Sequence, residues 1–319
     1  MFVFVVAVLV SFQVTAVAAG AAAKKISYGH IFTTEHPVHI AAERANDILK
    51  QKSGNRLELR LYPAGSFANY KDSIIAVQMG TLDFAPLSTG VDYYKPSGVL
   101  IGPYTFADYD HWKKFKQSQV YKEVLDNVGK NAKVKHLAMY TFGFRHTTTK
   151  NLVAKTPEDF KNFKLRVVDH PPYPEAATVL GAVGTPLPIG DVYMALNTGV
   201  ADGQENPFTQ IVTMKFYEVQ KNLILTGHML AVAGTIMAQK TWDSLTAADQ
   251  KIVEEVFADM ANHIDKLVIE GEAKLLQELR AKGMNVIEVD KKPFMDRVQL
   301  VLKKYPDWVD LYKKIQAVR

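Results

Sequence analysis

Between Ile26 and Asp202 the chain switches repeatedly between strand and helix periodicity, and glycines close the helical patterns. Ile26 to Ile31 reads as a short strand. Pro37 suits the first turn of a helix, where its missing N–H would be unpaired in any residue. Val38, Ala41, Ala42, Ala45, Ile48 and Leu49 then recur at helical spacing, and Gly54 stops the pattern. Leu57, Leu59 and Leu61 alternate with Arg56, Glu58 and Arg60, which is strand periodicity. Ile74 to Met79 ends a second helix at Gly80, and Thr81 to Ala85 reads as a strand. Further on, Lys135 to Thr141 and Lys164 to Val168 read as strands. Pro174 to Leu180 and Val192 to Asn197 read as helices ended by Gly181 and Gly199, and Val200 to Asp202 begins another strand. Strands alternating with helices imply parallel βαβ units, so the expected fold class is α/β.

Two segments share one pattern. Asp72, Gly80 and Asp83 are spaced as Asp191, Gly199 and Asp202 are. Each reads as a capped helix, a left-handed glycine at its end and an immediate turn into a strand. The chain has 319 residues, and at roughly 100–200 residues per domain that is enough for two. The repeat favours two lobes on one plan. After the capping pair Thr246 and Asp249, apolar residues from Ile252 to Leu279 keep helical spacing until Gly283. At 1.5 Å per residue that helix is roughly 50 Å long, more than one lobe's width. Its apolar steps are mostly four-four-four rather than a heptad, so it reads as a helix crossing both lobes, with Gly271 marking a place to bend.

Met1 to Ala23 stands apart and carries no charged side chain. Phe2 to Val10 is unbroken apolar sequence, followed by Ser11, Gln13 and Thr15, which argue against an anchor. Ala16-Val17-Ala18 is a small-x-small site suited to a signal peptidase, and Ala19-Gly20-Ala21 is a second. Residues 1–23 are therefore read as a signal peptide, cut near 18–23. No other stretch approaches 18 apolar residues, so a soluble mature chain is expected. The absence of cysteine excludes disulfides, thiolate metal sites and a cysteine nucleophile. Thirty-eight Lys+Arg against 33 Asp+Glu leave only +5, with the lysine pairs scattered, so no nucleic-acid surface is expected.

The motifs G-x-S-x-G, G-x-x-x-x-G-K, G-x-G-x-x-G and H-E-x-x-H are absent, and no cofactor or metal is expected. His36 and His39 are three apart, but Pro37 between them favours surface or capping histidines over metal ligands. Asp108 and Asp110 read as helix-capping groups. What stands out is a set of polar groups at strand ends. Arg145 follows the strand ending near Thr141, Arg166 lies inside the apolar strand 165–168, and Asn206 follows Gln204-Glu205. A cation in a buried strand needs a partner. Spacing alone leaves two: a carboxylate of the protein, or an anionic ligand. Guanidinium offers parallel donors that match a carboxylate, and open α/β sheets bind ligands beyond the carboxyl ends of their strands.

The runs Lys164-Leu-Arg166-Val, Thr185-Pro-Leu-Pro188, Val192 to Gly199 and Val200-Ala-Asp-Gly-Gln-Glu-Asn206-Pro207 resemble the signature of the periplasmic solute-binding proteins of TRAP transporters, the DctP-type family. Leu61-Tyr-Pro-Ala-Gly65, Gly143 to Thr148 and Lys215 to Gln220 match it too, and the likeness covers about Ile26 to Tyr305. The resemblance implies an organic-acid ligand held in a cleft between two α/β lobes, with a long helix spanning both. It implies delivery to integral-membrane TRAP permease subunits driven by a sodium gradient. It also implies that Arg166 pairs with the ligand carboxylate, that Asn206 assists, and that Arg145 contributes from the neighbouring strand. Ser88, His170, Ile189 and Phe32 complete the expected ligand-binding set. The expected division is residues 24–142 plus about 232–271 as lobe I, and 143–231 plus about 272–319 as lobe II with the C-terminal helices. The strands near Tyr140–Phe144 and Leu230–Gly234 are the expected crossings, and a periplasmic monomer is expected.

The local likeness is to the sialic-acid-binding members above all, yet a glutamate they use falls at Ser88, an asparagine at Ile31 and an aromatic at Ile189. Phe67-Ala68 replaces the usual Leu-Gly. Apolar replacements leave a glycerol side chain's hydrogen bonds unmade. A smaller or less hydroxylated acid fits better, such as a dicarboxylate, a 2-hydroxy or 2-oxo acid, or an aromatic acid. The rival reading, an exported enzyme acting on an acidic substrate, needs a base beside the arginines, and His170 is the nearby candidate. Protein recovered from the periplasm should begin between Ala19 and Lys24 by N-terminal sequencing. Recovery from the membrane fraction with Met1 attached would make the segment an anchor.

Overall fold

The computed structural model describes residues 23–318, so the expected leader lies outside them except for Ala23. β1 (Lys24–Gly29), α1 (Pro37–Ser53), β2 (Leu57–Tyr62), α2 (Tyr70–Met79) and β3 (Phe84–Leu87) form a first unit. Helices α3 (Tyr109–Gln117) and α4 (Gln119–Ala132) lead into the long strand β4 (Val134–Thr149). A second unit follows: β5 (Lys164–Val167), α5 (Glu175–Leu180), β6 (Val183–Pro186), α6 (Val192–Thr198) and β7 (Gly203–Pro207). Then come α7 (Phe208–Thr213), the long strand β8 (Asn222–Ala238), α8 (Gln239–Asp243) and α9 (Ala247–Ala281). β9 (Asn285–Ile287) and helices α10 (Lys292–Met295), α11 (Val298–Lys304) and α12 (Val309–Gln316) end the chain.

The two units share one topology. β1 pairs in parallel with β2 and β3, and β5 pairs in parallel with β6 and β7. The repeated aspartates do the same job in both. Asp83 accepts the Ser27 N–H at 2.8 Å and Asp202 accepts the Lys164 N–H at 2.9 Å, each tying the approach to its unit's third strand to the first strand. Gly80 and Gly199 hold φ of 72° and 78° at the helix ends, where a β-carbon would strain the backbone. The other repeated pair differs from expectation. The cap of α2 is Asn69, whose Oδ1 accepts the Asp72 N–H at 3.0 Å, and Asp191 makes no side-chain cap bond to α6. The turn through Asp83 also delays β3, which starts at Phe84 rather than Thr81.

β4 and β8 join the units. The sheet order is β2-β1-β3-β8-β4-β7-β5-β6, with β9 beside β8. β8 is antiparallel to β3 at one end, and β4 is antiparallel to β7 at the other. Strands of 16 and 17 residues far exceed the usual five or six, because each serves both units. The strand expected to end near Thr141 therefore continues through a bulge between Thr141 and Gly143, and Arg145 lies within it. Apolar alternation could not reveal this. Residues 145–149 are Arg-His-Thr-Thr-Thr, yet all are buried, flanked by β7 and β8. Gly143 takes φ 109° there, a conformation suited to glycine.

Helix α9 crosses both units, as its length implies. Val253, Phe257, Met260 and Ile264 pack with Ile26, Tyr28 and Phe84. Near its end, Leu275, Leu276 and Leu279 pack with Val192, Leu196 and Phe208. It is continuous through Gly271. Its buried Asp265 accepts the Thr141 N–H at 2.7 Å, the Trp112 Nε1–H at 3.0 Å and the Lys116 ammonium at 2.9 Å. Asp108 caps α3 through the His111 N–H at 2.8 Å. Asp110 instead forms an exposed pair with Lys113. α12 returns to the first unit, where Gln316 donates to the Thr105 carbonyl at 2.7 Å. No helix among the described residues is long and apolar enough to cross a membrane.

The clustered histidines, expected at the surface or as caps, are buried, and one of them is a cap. His36 Nδ1 accepts the Val38 N–H at 3.2 Å as the cap of α1, and His30 Nε2 lies 3.1 Å from His39 Nδ1. Burial pulls His30 and His136 down to about 4 and His36 to about 3. Between pH 6.5 and those values the unfolded chain binds more protons, so stability is full above neutrality and falls as pH drops through this window. Each such histidine should remove about 1 kcal/mol by pH 5.5. Urea unfolding at pH 7.5 and 5.5 measures the drop, and a His136→Gln variant should shrink it by that amount. An unchanged drop in that variant would mean His136 is not held neutral.

Candidate anion-binding site

Arg166 enters the sheet on β5, opposite Thr185 of β6 and Gln204 of β7, and its side chain is wholly buried. Its Nε and Nη2 donate to the Leu187 carbonyl at 3.0 and 2.5 Å. Its Nη1 is buried without a hydrogen-bond partner. A carbonyl accepts hydrogen bonds but does not neutralise a charge. Burial, and then Arg145, pull Arg166 down to about 10, against a pull upward from Glu205, so it stays a cation at neutral pH.

Arg145 on β4 is already matched. Its Nε and Nη2 donate to the two carboxylate oxygens of Glu205 at 2.5 and 2.8 Å, a bidentate pair. Nη2 also donates to the Glu205 carbonyl at 2.6 Å and to Asn206 Oδ1 at 3.1 Å. The network continues from Asn206 Nδ2 to Gln204 Oε1 at 2.5 Å, and from Gln204 Nε2 to Thr148 Oγ1 at 2.9 Å. His228 Nε2 lies 3.2 Å from Glu205 on the other side. Burial alone would raise the Glu205 carboxyl, but Arg145 and His228 overcome it and hold it at about 2. Burial lowers His228, which therefore donates as a neutral ring, with Nδ1 2.8 Å from the Thr226 hydroxyl.

The buried charges make the contrast plain. Among the described residues, Glu175, Asp249, Asp265 and Glu205 are buried carboxylates paired with Lys304, Arg56, Lys116 and Arg145. Arg166 alone among the buried charged side chains has no opposite charge in bonding range. Of the two partners that spacing left open, a protein carboxylate serves Arg145, and Arg166 has no protein carboxylate.

The first unit meets the second beside these arginines. Tyr173 lies beneath Arg145, 5.1 Å from guanidinium carbon to ring centroid, and its hydroxyl is 3.4 Å from Ser88 Oγ at the end of β3. The Ser88 N–H donates to the Tyr70 hydroxyl at 2.9 Å. His170 Nε2 is 3.0 Å from Asp92, with the Tyr70 ring edge-on at 5.8 Å, and its Nδ1 is buried and unpartnered. Lys71 reaches Asp169 at 3.4 Å.

Arg145 and Asn206 thus form one cluster, which Tyr173 extends to Ser88. Arg166 stands next to Gln204 of that cluster on the neighbouring strand. Phe32 stacks on His36 at 4.3 Å and meets Phe142 at 5.5 Å. Ile189 packs half-buried in the cluster of Val192 and Leu196. Glu205, Tyr173, Tyr70 and His228 were not singled out from sequence. Glu205 was visible as one of three consecutive polar residues where a buried strand needs apolar ones.

The chain matches the family model for bacterial extracellular solute-binding proteins, family 7 (DctP), over residues 28–307. It is 31% identical to the sialic acid-binding periplasmic protein SiaP of Vibrio cholerae, over 83% of each chain. It is 30% identical to the 2,3-diketo-L-gulonate-binding periplasmic protein YiaO of Escherichia coli K12, over 93% of each. Among solved structures it superimposes with a TM-score of 0.88 on a TRAP periplasmic solute-binding protein of Pseudomonas putida F1 with bound D-glucuronate. That pair is 28% identical, covering 93% of this chain and 98% of that one.

Replacing Glu205 by Gln would leave Arg145 and Arg166 buried together without a carboxylate. Breaking a buried pair costs about 3–5 kcal/mol. Chemical denaturation of Glu205→Gln should show a loss of that size, and a loss under about 1 kcal/mol would mean the pair is open to water.

Proposed function

We propose, because the chain belongs to the DctP family of bacterial extracellular solute-binding proteins, that it captures an organic-acid anion in the periplasm and delivers it to TRAP permease subunits in the membrane. One observation carries the assignment of the site: Arg166 is buried, charged and without a counter-charge, with an unpartnered Nη1. A ligand carboxylate supplies both the charge and the missing acceptor. Arg145 is a secondary contact, since two of its donor nitrogens already serve Glu205 and Asn206. Asn206 holds that arrangement and assists the carboxylate. Ser88 and His170 line the far wall.

Lobe I comprises 24–142 with about 232–271, and lobe II 143–231 with about 272–319, whose last helix α12 reaches back to lobe I through Gln316, so that binding closes them by bending where β4 and β8 cross. The bulge at Gly143 supports that position. Ligands named for relatives are mostly hydroxylated acids. Ser88, with its hydroxyl beside Tyr173, suits a shorter hydroxylated acid than sialic acid. The family is one of binding proteins, and the proposal extends that to this chain: the acid is released unchanged.

A thermal-shift screen against carboxylates tests the reading, since a ligand at 100 times its dissociation constant adds about 2.7 kcal/mol. Arg166→Ala should weaken the best acid by about 2–5 kcal/mol, or roughly 30- to several-thousand-fold by calorimetry. Arg166→Lys should also weaken it strongly, because the ammonium lacks the planar fork. Asn206→Ala should cost less. A folded Arg166→Lys protein that binds like wild type would place the site elsewhere.

A further inference from the structure

We propose that a cavity between α9, β4, β8 and the segment after β9 is a second small-molecule site, and that it takes a zwitterionic amino acid with an apolar side chain. It shares no lining residue with the site assigned to the organic acid, and the inference does not rest on that assignment.

The cavity holds about 490 Å³, within the roughly 300–1,000 Å³ usual for small-molecule sites. Phe144 of β4, Phe208 of α7, Leu225 of β8 and Leu276 of α9 give it apolar walls. Four polar side chains line it as well: His146, Glu272, Glu288 and Lys291. They do not use one another up. His146 is buried and stacks on Phe208 at 4.4 Å. Its Nδ1 accepts the Gly227 N–H at 3.1 Å, so the neutral ring carries its hydrogen on Nε2, which bonds to no described residue. Burial, and then His228 and Lys291, keep that ring neutral. The Lys291 ammonium lies over Gly227 beside it. A β-carbon built on Gly227 would meet Lys291 Nζ at 2.8 Å and His146 Cε1 at 3.7 Å. Two donors, one of them charged, therefore stand together, and no described carboxylate is in bonding range of Lys291. On α9, half-buried Glu272 accepts the Tyr109 hydroxyl through Oε1 at 2.9 Å and has no cation in bonding range. Burial raises its carboxyl and Lys291 opposes that. An ammonium beside it favours the ionised form. Exposed Glu288 adds a second negative charge at the edge. A carboxylate at Lys291 and His146, an ammonium at Glu272 and an apolar side chain against Phe144 and Leu276 satisfy every one of these groups. An acid alone would leave the glutamates unmatched, and an amine alone would leave Lys291 and His146 so.

The probes are L-phenylalanine and its two truncations, phenethylamine without the carboxylate and 3-phenylpropanoate without the amine. Each is titrated calorimetrically at pH 7.5 into the whole mature protein and into its Arg166→Ala variant, where an acid taken up at Arg166 no longer counts. Arg166→Lys serves where the alanine variant does not fold. L-phenylalanine is expected to bind wild type and the Arg166 variant within twofold of each other, and at least tenfold tighter than either truncation in the variant. Loss of L-phenylalanine binding in the Arg166 variant would put the amino acid in the organic-acid site and overturn the proposal. A truncation that binds the variant as tightly as the amino acid, or an amino acid that binds neither protein, overturns it too. Lys291→Met and Glu272→Gln should each weaken L-phenylalanine at least tenfold, and the glutamine keeps an acceptor for the Tyr109 hydroxyl. A Lys291→Met or Glu272→Gln protein that is folded by circular dichroism and binds like wild type overturns the proposal. Where one of these two does not fold, the other decides together with the truncation ratios.

Discussion

The bidentate pair between Arg145 on β4 and Glu205 on β7 ties the shared middle of the sheet to the unit that carries Arg166. Two guanidiniums in one dry region would repel each other, and burial would penalise both. With Glu205 between β4 and β8 neighbours, one of the two is cancelled and the other is left charged. The surrounding polar groups follow from that arrangement. Asn206, Gln204 and Thr148 pass hydrogen bonds along the strands, and His228 closes the far side of the carboxylate. A region this polar can lie inside a sheet only because its members satisfy one another. Beside this network Arg166 Nη1 and His170 Nδ1 are buried without partners, and in the proposed function the first is where the ligand carboxylate arrives.

In the proposed function the same strands also let two lobes move. β4 and β8 are continuous through both units, so the proposed bending falls where they cross. The bulge after Thr141 and the positive φ of Gly143 lie at that point. Asp265 of α9 holds the Thr141 N–H there, and the Tyr109 hydroxyl donates to Glu272 of α9 at 2.9 Å while accepting the Phe144 N–H at 3.3 Å. The long helix is thus fastened on both sides of the bulge. A helix that packed on one lobe only would leave the relative position of the other to two strands.

Much of this was legible in sequence, for identifiable reasons. Glycine-closed helices and alternating strands gave the α/β class, since Gly54, Gly80, Gly181 and Gly199 all sit at positive φ. The Asp–Gly–Asp repeat marked the two units, although neither first aspartate makes the expected cap and the second aspartates instead tie strands together. The reach of β4 was not legible, because its second half is polar and its burial comes from neighbours distant in sequence. The partner of Arg145 was hidden for the same cause: Glu205 lies sixty residues away, and register alone brings them together. Arg145 and Arg166 are both buried, but the sequence could not say which of them had a protein partner.

The duplicated plan explains why the charge comes from one side. The strands held by the two anchoring aspartates can be aligned at Ser27 and Lys164, the residues whose N–H groups Asp83 and Asp202 accept. Two residues further along, the second unit has Arg166 and the first has Gly29. A β-carbon at Gly29 would meet Leu82 Cδ2 at 3.1 Å, so that position has little room for a long side chain. The first unit faces the site instead with neutral groups, Tyr70 and Ser88, and with a paired Asp92. In the proposed function charge recognition therefore resides in the unit built of β5, β6 and β7 together with the adjoining half of β4, and the charges the other side brings, Lys71 and Asp92, already face Asp169 and His170. One framework used twice yields an asymmetric site because one position differs, arginine in one copy and glycine in the other.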